Sequence, residues 1–283
     1  PSAMVELVLL FCLALAALRT GVKLHAFVAM SNHVHIVLTD VEGRLPEFMH
    51  TFCRLSACLL NHYYDRQECL WSPGSYSAVH LVEAEDVLRF MAYLFANPTA
   101  AGLTARGAEW PGVISHPDDL LEGDGIERRK WVKRPQFYFG KESNVPAALW
   151  LEFSCPPSLA DRPRREVVAD LLARREAREA EARRKREAAG RRFLGVKGVL
   201  ATSPFDRARS KEGRRRLSPT VACQNREKRI EVLRERRRFM ARYRLCFELF
   251  RRGMRQVVFP AGTYGPVRFC GVRAAPIDRD RAA

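Results

Sequence analysis

The eight cysteines of this 283-residue chain include no Cys-x-x-Cys pair, which excludes the paired-thiol motifs built on that spacing. Several of the cysteines lie on the apolar faces of predicted helices. This placement indicates reduced, buried thiols in a cytosolic protein.

The sequence also lacks a convincing membrane segment. The apolar run from Met4 to Leu18 contains Glu6, has no basic residues before it and is too short to span a bilayer. It is therefore predicted to be a buried helix, and no membrane partner is expected. The chain starts Pro-Ser-Ala, so we expect either that the N-terminus was processed or that further sequence precedes it.

Acidic residues are too few in the second half of the chain to balance its arginines. Residues 1–150 hold 13 Lys/Arg against 16 Asp/Glu, whereas residues 151–283 hold 35 against 16, so the net charge of +16 is concentrated in the second half. Such segregation indicates a polyanion partner, nucleic acid before an anionic membrane surface. Arg-rich helices can also be basic for compositional reasons alone.

A pair of histidines stands out against this background. Residues 22–30 and 33–39 are predicted to form two strands joined by a turn at Ser31-Asn32. Alternation along a strand then places His33 and His35 on one face, and it buries the other face, which consists of Val34, Ile36 and Leu38. Two neutral imidazoles at alternate positions form half of a site for a divalent metal. They can equally be ordinary strand histidines.

Apolar periodicity predicts helices after this hairpin. The third of the chain's predicted helices runs from Glu85 to Ala96 and is expected to stop at Asn97-Pro98, because a residue before proline is disfavoured in the α region. Tyr93 and Asn97 would then lie one turn apart at a helix end. The other helices are predicted at 44–64, 162–190 and 226–252, and strands at 76–82, 136–139 and 150–153.

The order of these elements predicts an α+β fold, a ferredoxin-like antiparallel sheet with helices on one face, followed by a basic helical C-terminal extension. That fold opens with a strand, and the sequence shows none before Met4. The charge-dense helix at 162–190 is expected to be solvated, and residues 191–222 to be a loop. The chain divides into segments 1–115, 116–160 and 161–283.

Two motifs carry a family resemblance. His33-Val34-His35 inside HAFVAMSNHVHIVL, with Leu70-Trp71 and the later AYLFANPTAAGL of residues 92–103, resemble the REP-associated tyrosine transposases of the single-tyrosine HUH superfamily. The resemblance covers residues 5–115 and, more loosely, the FPAGTY segment. It implies that residues 1–115 form a transposase-like catalytic domain with a ferredoxin-like fold, in a cytoplasmic, nucleoid-associated protein.

The resemblance also implies roles for individual residues. His33 and His35 would bind a divalent cation, Mg²⁺ or Mn²⁺, with Asn97 as a polar third ligand, and Tyr93 would be the nucleophile. Family members cut single-stranded DNA beside short palindromic hairpins and form a 5′-phosphotyrosine intermediate. A phenol suits this chemistry because its ester conserves the phosphodiester energy, and a cation neutralises charge on the phosphate. The alternative nucleophiles are Tyr63, Tyr64 and Tyr264.

DNA binding is expected from the basic second half and from aromatic side chains. Trp71 or Tyr76 could stack on unpaired bases. The arginines expected to contact the phosphate backbone of the DNA hairpin are Arg214, Arg215, Arg216, Arg234, Arg237, Arg238 and Arg242. The protein would act as a monomer or a homodimer.

Two other functions are compatible with the sequence. The first is a non-catalytic DNA-hairpin-binding protein, a domesticated or decayed transposase relative, which the missing first strand favours. The second is a basic helical protein bound to RNA or ribosomes, with incidental histidines.

Overall fold

The structure, a computed structural model, describes residues 1–72, 76–122, 128–137, 145–203, 205–206 and 220–277. It confirms a mixed α+β fold. The helices are α1 (Ala3–Thr20), α2 (Leu45–Tyr63), α3 (Ala84–Ala100), α4 (Arg164–Ala188), α5 (Gly195–Ala201), α6 (Arg226–Arg251) and α7 (Gly265–Cys270). The strands are β1 (Lys23–Ala29), β2 (Val34–Thr39), β3 (His80–Leu81), β4 (Lys130–Lys133), β5 (Ala148–Leu151), β6 (Val221–Ala222), β7 (Val258–Phe259) and β8 (Arg273–Ala274).

Helix α1 has capping contacts at both ends. The Ser2 hydroxyl accepts a hydrogen bond from the Val5 amide, and Gly21 closes the helix in the left-handed conformation at φ 70°. Most of the second half of the helix is buried inside the protein, which confirms a packed helix. The helix is longer than the predicted apolar run, so the prediction that it is too short to span a bilayer was wrong: within the described residues α1 is the one helix long and apolar enough to do so, by length and composition alone.

The predicted β-hairpin is confirmed. Strands β1 and β2 pair antiparallel, with Val28 opposite His35, and a register irregularity between Leu24 and Ala26 resets the alternation of β1. The other edge of β1 is also occupied, because the chain at 113–115 runs antiparallel to it through an isolated bridge between Val28 and Ile114. Further along the same edge, the Ser154 amide donates to the Leu24 carbonyl at 2.8 Å.

Helices pack on both faces of this hairpin, so the prediction of helices on one face was wrong. Phe27 and the apolar side chains of Val34, Ile36 and Leu38 belong to a core shared with α1 and α2. Val28 and Val37 point the other way, into a second core shared with α3 and α4. The second apolar face was not predicted, because Val37 is the only large apolar residue that β2 contributes to it and the neighbouring side chains on that face are histidines.

The described strands form four two-stranded sheets: β1 with β2, β3 with β6, β4 with β5, and β7 with β8. Strand predictions away from the hairpin were displaced. The strand expected at 76–82 is reduced to His80–Leu81, and it pairs in parallel with Val221–Ala222, 141 positions further along the chain. The strand expected at 136–139 lies earlier, at Lys130–Lys133, and residues 138–139 are outside the described ranges. Its partner is Ala148–Leu151 rather than 150–153.

Helix α3 does not stop before Pro98, contrary to the prediction. It continues to Ala100 with the proline inside it, and the Ala101 amide still donates to the Asn97 carbonyl at 2.9 Å. Residues 94–99 are all buried, and their packing outweighs the bias that a proline places on the preceding residue. Tyr93 and Asn97 are therefore both inside a continuous helix, one turn apart.

The basic second half of the chain, residues 151–283, contacts α3 through α4 and through α6. Helix α4 buries Val167 and Leu171 in the second core, and Glu179 is buried further along it, so the prediction of a solvated helix was wrong at these positions. The Arg174 guanidinium bridges from α4 to Glu85 of α3, with nitrogen to oxygen distances of 2.6 and 3.0 Å. Helix α6 matches its predicted span closely and begins beside α3, where Lys228 contacts Glu83 at 2.6 Å. The short helix α5 was missed within the predicted loop.

The cysteines are free thiols, but they are less uniformly buried than expected. Cys12, Cys223 and Cys246 are buried, whereas the prediction of burial was wrong for Cys58, Cys69 and Cys270, which are exposed. On α2, Cys58 is exposed although the nearby Leu55 and Leu59 are buried. No disulfide constrains the described part of the fold.

A third histidine of the hairpin is structural. His25 is 2% exposed, its Nδ1 donates to the Ser154 carbonyl at 2.7 Å, and its Nε2 accepts from the Thr39 hydroxyl at 2.8 Å. Both contacts suit the neutral ring. Burial lowers the pKa of His25 from 6.5 to about 4, although the bond to Ser154 opposes the shift.

This histidine predicts an acid-sensitive fold. Above pH 6.5 the ring is neutral in both the folded and the unfolded chain, so stability is complete. As the pH falls from 6.5 to about 4, His25 becomes protonated in the unfolded chain but stays neutral in the folded chain. The free energy of unfolding should therefore drop by about 3 kcal/mol over this window. Chemical denaturation at successive pH values measures it.

The matched variants are His25→Gln and His50→Gln, since His50 is an exposed histidine on α2. The first should remove the His25 share of the acid limb of the stability curve, while the lowered pKa of His35 still contributes a share of its own, and the second should leave the limb as in the parent. An unchanged acid limb in His25→Gln would show that another group causes the loss.

Candidate active site

The two histidines of the hairpin lie side by side at the start of β2. His35 is the second residue of the strand, and His33 directly precedes the strand, where the chain leaves the turn. Their ring centres are 4.8 Å apart and their planes are nearly perpendicular, at 81°. The alternation of the strand therefore brings the imidazoles together, as predicted.

The turn fixes which nitrogen of His33 is available. Its Nδ1 lies 2.7 Å from the side-chain oxygen of Asn32. An amide oxygen only accepts, so Nδ1 carries the proton and donates, and Nε2 retains its lone pair. A second group that orients a histidine in this way is typical of metal sites. Asn32 had not been assigned a role from the sequence, although it directly precedes His33.

His35 is half-buried and has an unsatisfied nitrogen. Its Nε2 is buried and has no hydrogen-bond partner in the described part of the chain. Burial, and secondarily the neighbouring charge of His33, lowers the pKa of His35 from 6.5 to about 4. Burial also lowers the pKa of His33. Both rings are therefore neutral at physiological pH, which is the form that binds metals.

Helix α3 places Tyr93 against His35. The two ring centres are 5.5 Å apart. Phe90, one turn earlier on α3, contacts both of them, with centre distances of 5.7 Å to Tyr93 and 6.4 Å to His35. The Tyr93 side chain is 37% exposed, so a solvent-borne substrate can reach it. Phe90 was missed from the sequence, although its position three residues before Tyr93 places it on the same side of the helix.

Asn97 lies one turn beyond Tyr93 and is 5% exposed. Its side-chain nitrogen is buried and lacks a hydrogen-bond partner among the described residues. A buried amide that leaves one group unpaired is uncommon. The structure thus brings His35 into contact with both His33 and Tyr93. Asn97 lies on the same side of α3 as Tyr93, and its role as a third ligand stays a prediction.

The histidine pair fits a divalent cation. Two imidazoles whose nitrogens each lie about 2.1 Å from one ion have ring centres about 4.5 to 5.5 Å apart, and the observed separation is 4.8 Å. The unpartnered Nε2 of His35 and the free lone pair of His33 supply the donors. Nitrogen donors suit transition metals, whereas Mg²⁺ prefers oxygen. Of the two ions predicted, this donor set favours Mn²⁺.

A second cluster has a different explanation. Glu83, Asp86 and Cys223 offer ligand atoms within 4.8 Å of one another. The carboxylates, however, serve the helix start: Glu83 and Asp86 form a capping box on α3, and Asp86 also accepts from the Gln224 amide at 3.1 Å. The hydrogen bond from Lys228 lowers the pKa of Glu83. Capping and the attachment of α6 account for this cluster, which indicates no particular metal.

The alternative nucleophiles contact other aromatic rings. Tyr63 packs against Tyr64 at 4.9 Å and against Phe137 at 5.8 Å, and Tyr264 contacts Phe269 at 6.1 Å. Tyr93 is the predicted nucleophile whose described ring contacts include a predicted metal ligand.

The predicted DNA contacts are placed unequally. The exposed face of α6 carries Arg234, Arg237, Arg238 and Arg242, whereas Arg214, Arg215 and Arg216 lie outside the described residues. Trp71 packs against Phe52 at 6.0 Å, and its indole nitrogen donates to the Ser56 hydroxyl at 3.1 Å. The first core thus accounts for Trp71 without a nucleic acid, and its stacking role stays a prediction.

Comparison with known proteins identifies no relative: no family model, no curated protein and no solved structure matches the chain.

Proposed function

We propose that this protein is a metal-dependent enzyme that cuts single-stranded DNA beside hairpins and transfers the cut strand through a 5′-phosphotyrosine on Tyr93. The observation that carries the proposal is the position of the His35 ring, between His33 at 4.8 Å and Tyr93 at 5.5 Å. A neutral imidazole pair and a reachable phenol are the groups that this reaction requires. The resemblance of the two motifs to single-tyrosine HUH transposases supplies the reaction class.

In this proposal His33 and His35 hold the cation, with Asn97 as the third protein ligand. Bound there, Mn²⁺ or Mg²⁺ would neutralise charge on the non-bridging oxygens of the scissile phosphate. The phenol oxygen of Tyr93 attacks the phosphorus and gives up its proton, while the bond from phosphorus to the 3′ oxygen breaks. That oxygen takes up a proton and leaves as a 3′ hydroxyl. The resulting phosphotyrosine ester keeps the energy of the phosphodiester, so a second strand can be joined.

The basic helix α6 is proposed to hold the DNA backbone. Its exposed arginines lie on a helix that starts at α3, through the contact of Lys228 with Glu83 at 2.6 Å, and α3 also carries Tyr93. Each phosphate that an arginine neutralises releases condensed counterions, so binding should weaken as salt rises. The ferredoxin-like arrangement belongs to the same proposal, with β1, β2 and the chain at 113–115 as three of its strands.

Strand cleavage of a hairpin oligonucleotide tests the proposal. A single-stranded DNA hairpin with an unpaired flank, labelled on the 3′ side of the flank, is incubated with the protein and Mn²⁺. The label should move to a protein-bound species that withstands denaturation, and EDTA should prevent this. Label that stays on free, uncut DNA across a set of hairpin sequences and flanks would contradict the proposal.

A non-catalytic hairpin-binding protein is the second candidate, and one observation favours it. Among the described strands, β2 has β1 as its sole ladder partner, so the strand that carries His35 lies at a sheet edge. If the cation site cannot be held firmly there, binding would persist without cleavage. The signature would be tight, salt-sensitive hairpin binding that neither EDTA nor Tyr93→Phe alters.

A further inference from the structure

A second feature with nucleic-acid chemistry lies on the hairpin of β4 and β5. Trp131 and Trp150 are direct cross-strand partners, and their ring centres are 4.7 Å apart with the planes tilted by 57°. Both indoles project outward, with exposed fractions of 54% for Trp131 and 49% for Trp150. Two neighbouring indoles with this much exposed surface are uncommon on a soluble protein, since large aromatic side chains normally bury their faces.

The opposite face of the same hairpin is fully used by the fold. Val132, Leu149 and Leu151 are buried in the core that α1 and α2 share with the hairpin of β1 and β2. Because side chains alternate along a strand, this burial forces Trp131 and Trp150 onto the outer surface. The indoles are therefore presented on a rigid two-stranded base whose inner face is anchored to α1.

Basic side chains outnumber acidic ones around the indoles, where Glu152, exposed and two residues after Trp150, is on the same face. Residues 128–134 contain five Lys or Arg and no Asp or Glu. The guanidinium of Arg129 lies 5.0 Å from the ring centre of Trp150, where Glu122 holds it by an ion pair at 3.3 Å. Lys133 is exposed and lies two residues from Trp131, so its side chain is on the same face of β4. Aromatic faces for bases and cations for phosphates occur together here.

We infer that Trp131 and Trp150 form a stacking platform for unpaired bases of single-stranded DNA, with Arg129 and Lys133 contacting the adjoining phosphates. The choice of ligand rests on the proposed function, which requires a single-stranded flank beside the hairpin. Stacking on aromatic side chains tolerates any base, and cations that follow the backbone complete such a groove. The sequence pattern predicts a strand at 150–153 and indicates no role for either tryptophan.

The test measures binding alone, in the full-length Tyr93→Phe protein with EDTA present, so that cleavage does not contribute. Fluorescence anisotropy gives the affinity for a labelled, unstructured oligonucleotide. The double variant Trp131→Ala/Trp150→Ala should bind about tenfold more weakly or worse. Trp131→Phe/Trp150→Phe keeps aromatic faces and the cross-strand contact, and should retain most of the affinity. The control is Phe269→Ala, which removes another exposed aromatic side chain and should bind as the parent does.

Tryptophan emission provides a second readout. If the two tryptophans had only a structural role, DNA binding would not change their emission. Bases stacked on the platform should quench the emission of the parent on saturation, and the double phenylalanine variant should lose this quenching although it retains Trp71 and Trp110. Thermal melting verifies that the variants are folded.

Four results would overturn the inference. The first is a parent that does not bind the oligonucleotide. The second is a double alanine variant that is folded and binds within twofold of the parent. The third is an equal loss of affinity for single strand and for duplex of the same sequence, which would indicate backbone contacts without stacking. The fourth is quenching by anionic phosphatidylserine vesicles but not by DNA. If any of these results occurs while the parent protein, which retains Tyr93, still cuts the DNA hairpin, the proposed function stands without the platform.

Discussion

Tyr93→Phe is expected to reduce strand cleavage by at least about a thousandfold, because it removes the oxygen that forms the ester with the phosphate. The phenyl ring can keep its contacts with His35 at 5.5 Å and Phe90 at 5.7 Å. The side chain is 37% exposed, so loss of the hydroxyl should change stability little. Cleavage rates of a labelled hairpin and its binding affinity, measured on the same protein, separate the two effects.

Tyr63→Phe is the matched control for this experiment. Tyr63 is an exposed tyrosine at the end of α2 whose ring contacts are with Tyr64 and Phe137. Cleavage should continue at the parent rate in this variant. Cleavage by Tyr93→Phe at the parent rate would remove Tyr93 from the mechanism, and loss of cleavage in Tyr63→Phe or Tyr264→Phe would reassign the nucleophile.

The second large effect is expected from the histidines. His35→Ala should weaken Mn²⁺ binding and lower the cleavage rate by at least about a hundredfold, since loss of a direct ligand should exceed the 10- to 100-fold cost of losing a supporting group. Its Nε2 is buried and unpartnered, so folding does not rely on a hydrogen bond from that atom. His33→Ala should behave alike. Calorimetric titration with Mn²⁺ in the absence of DNA measures the affinity directly.

His50→Ala provides the comparison, because His50 is an exposed histidine on α2 outside the site. It should bind Mn²⁺ as the parent does. Equal Mn²⁺ affinity in His35→Ala, His33→Ala and the parent would show that the histidines are ordinary strand residues. Retained affinity would also point to the cluster of Glu83, Asp86 and Cys223, whose ligand atoms lie within 4.8 Å of one another.

Local patterns sufficed for the elements whose structure is set by near neighbours in the sequence. Alternation located β1 and β2, and it placed His33 and His35 together. The apolar run from Met4 to Leu18 located α1, and the arginine-rich helix α6 matched its predicted span closely. Tyr93 and Asn97 lie one helical turn apart, as predicted. They do so inside the helix rather than at its end, because α3 continues through Pro98.

The remainder depended on contacts between distant segments. Pairing of β3 with β6 joins His80 to Val221, and nothing near either residue in the sequence indicates it. Whether Tyr93 reaches His35 depends on how α3 packs on the second face of the β1–β2 hairpin, where Val37 is the large apolar residue that β2 contributes. The outward direction of Trp131 and Trp150 likewise follows from the burial of Val132 and Leu149 against α1, which a four-residue strand does not reveal by itself.

The central claim is that Tyr93 becomes covalently joined to DNA with help from the histidine pair. Intact mass spectrometry of the parent after incubation with a DNA hairpin and Mn²⁺, followed by peptide mapping, tests it most directly. The account predicts a mass increase equal to the 3′-side DNA fragment, located on Tyr93 and absent with EDTA. An unchanged protein mass, or an adduct located on another residue, would contradict it.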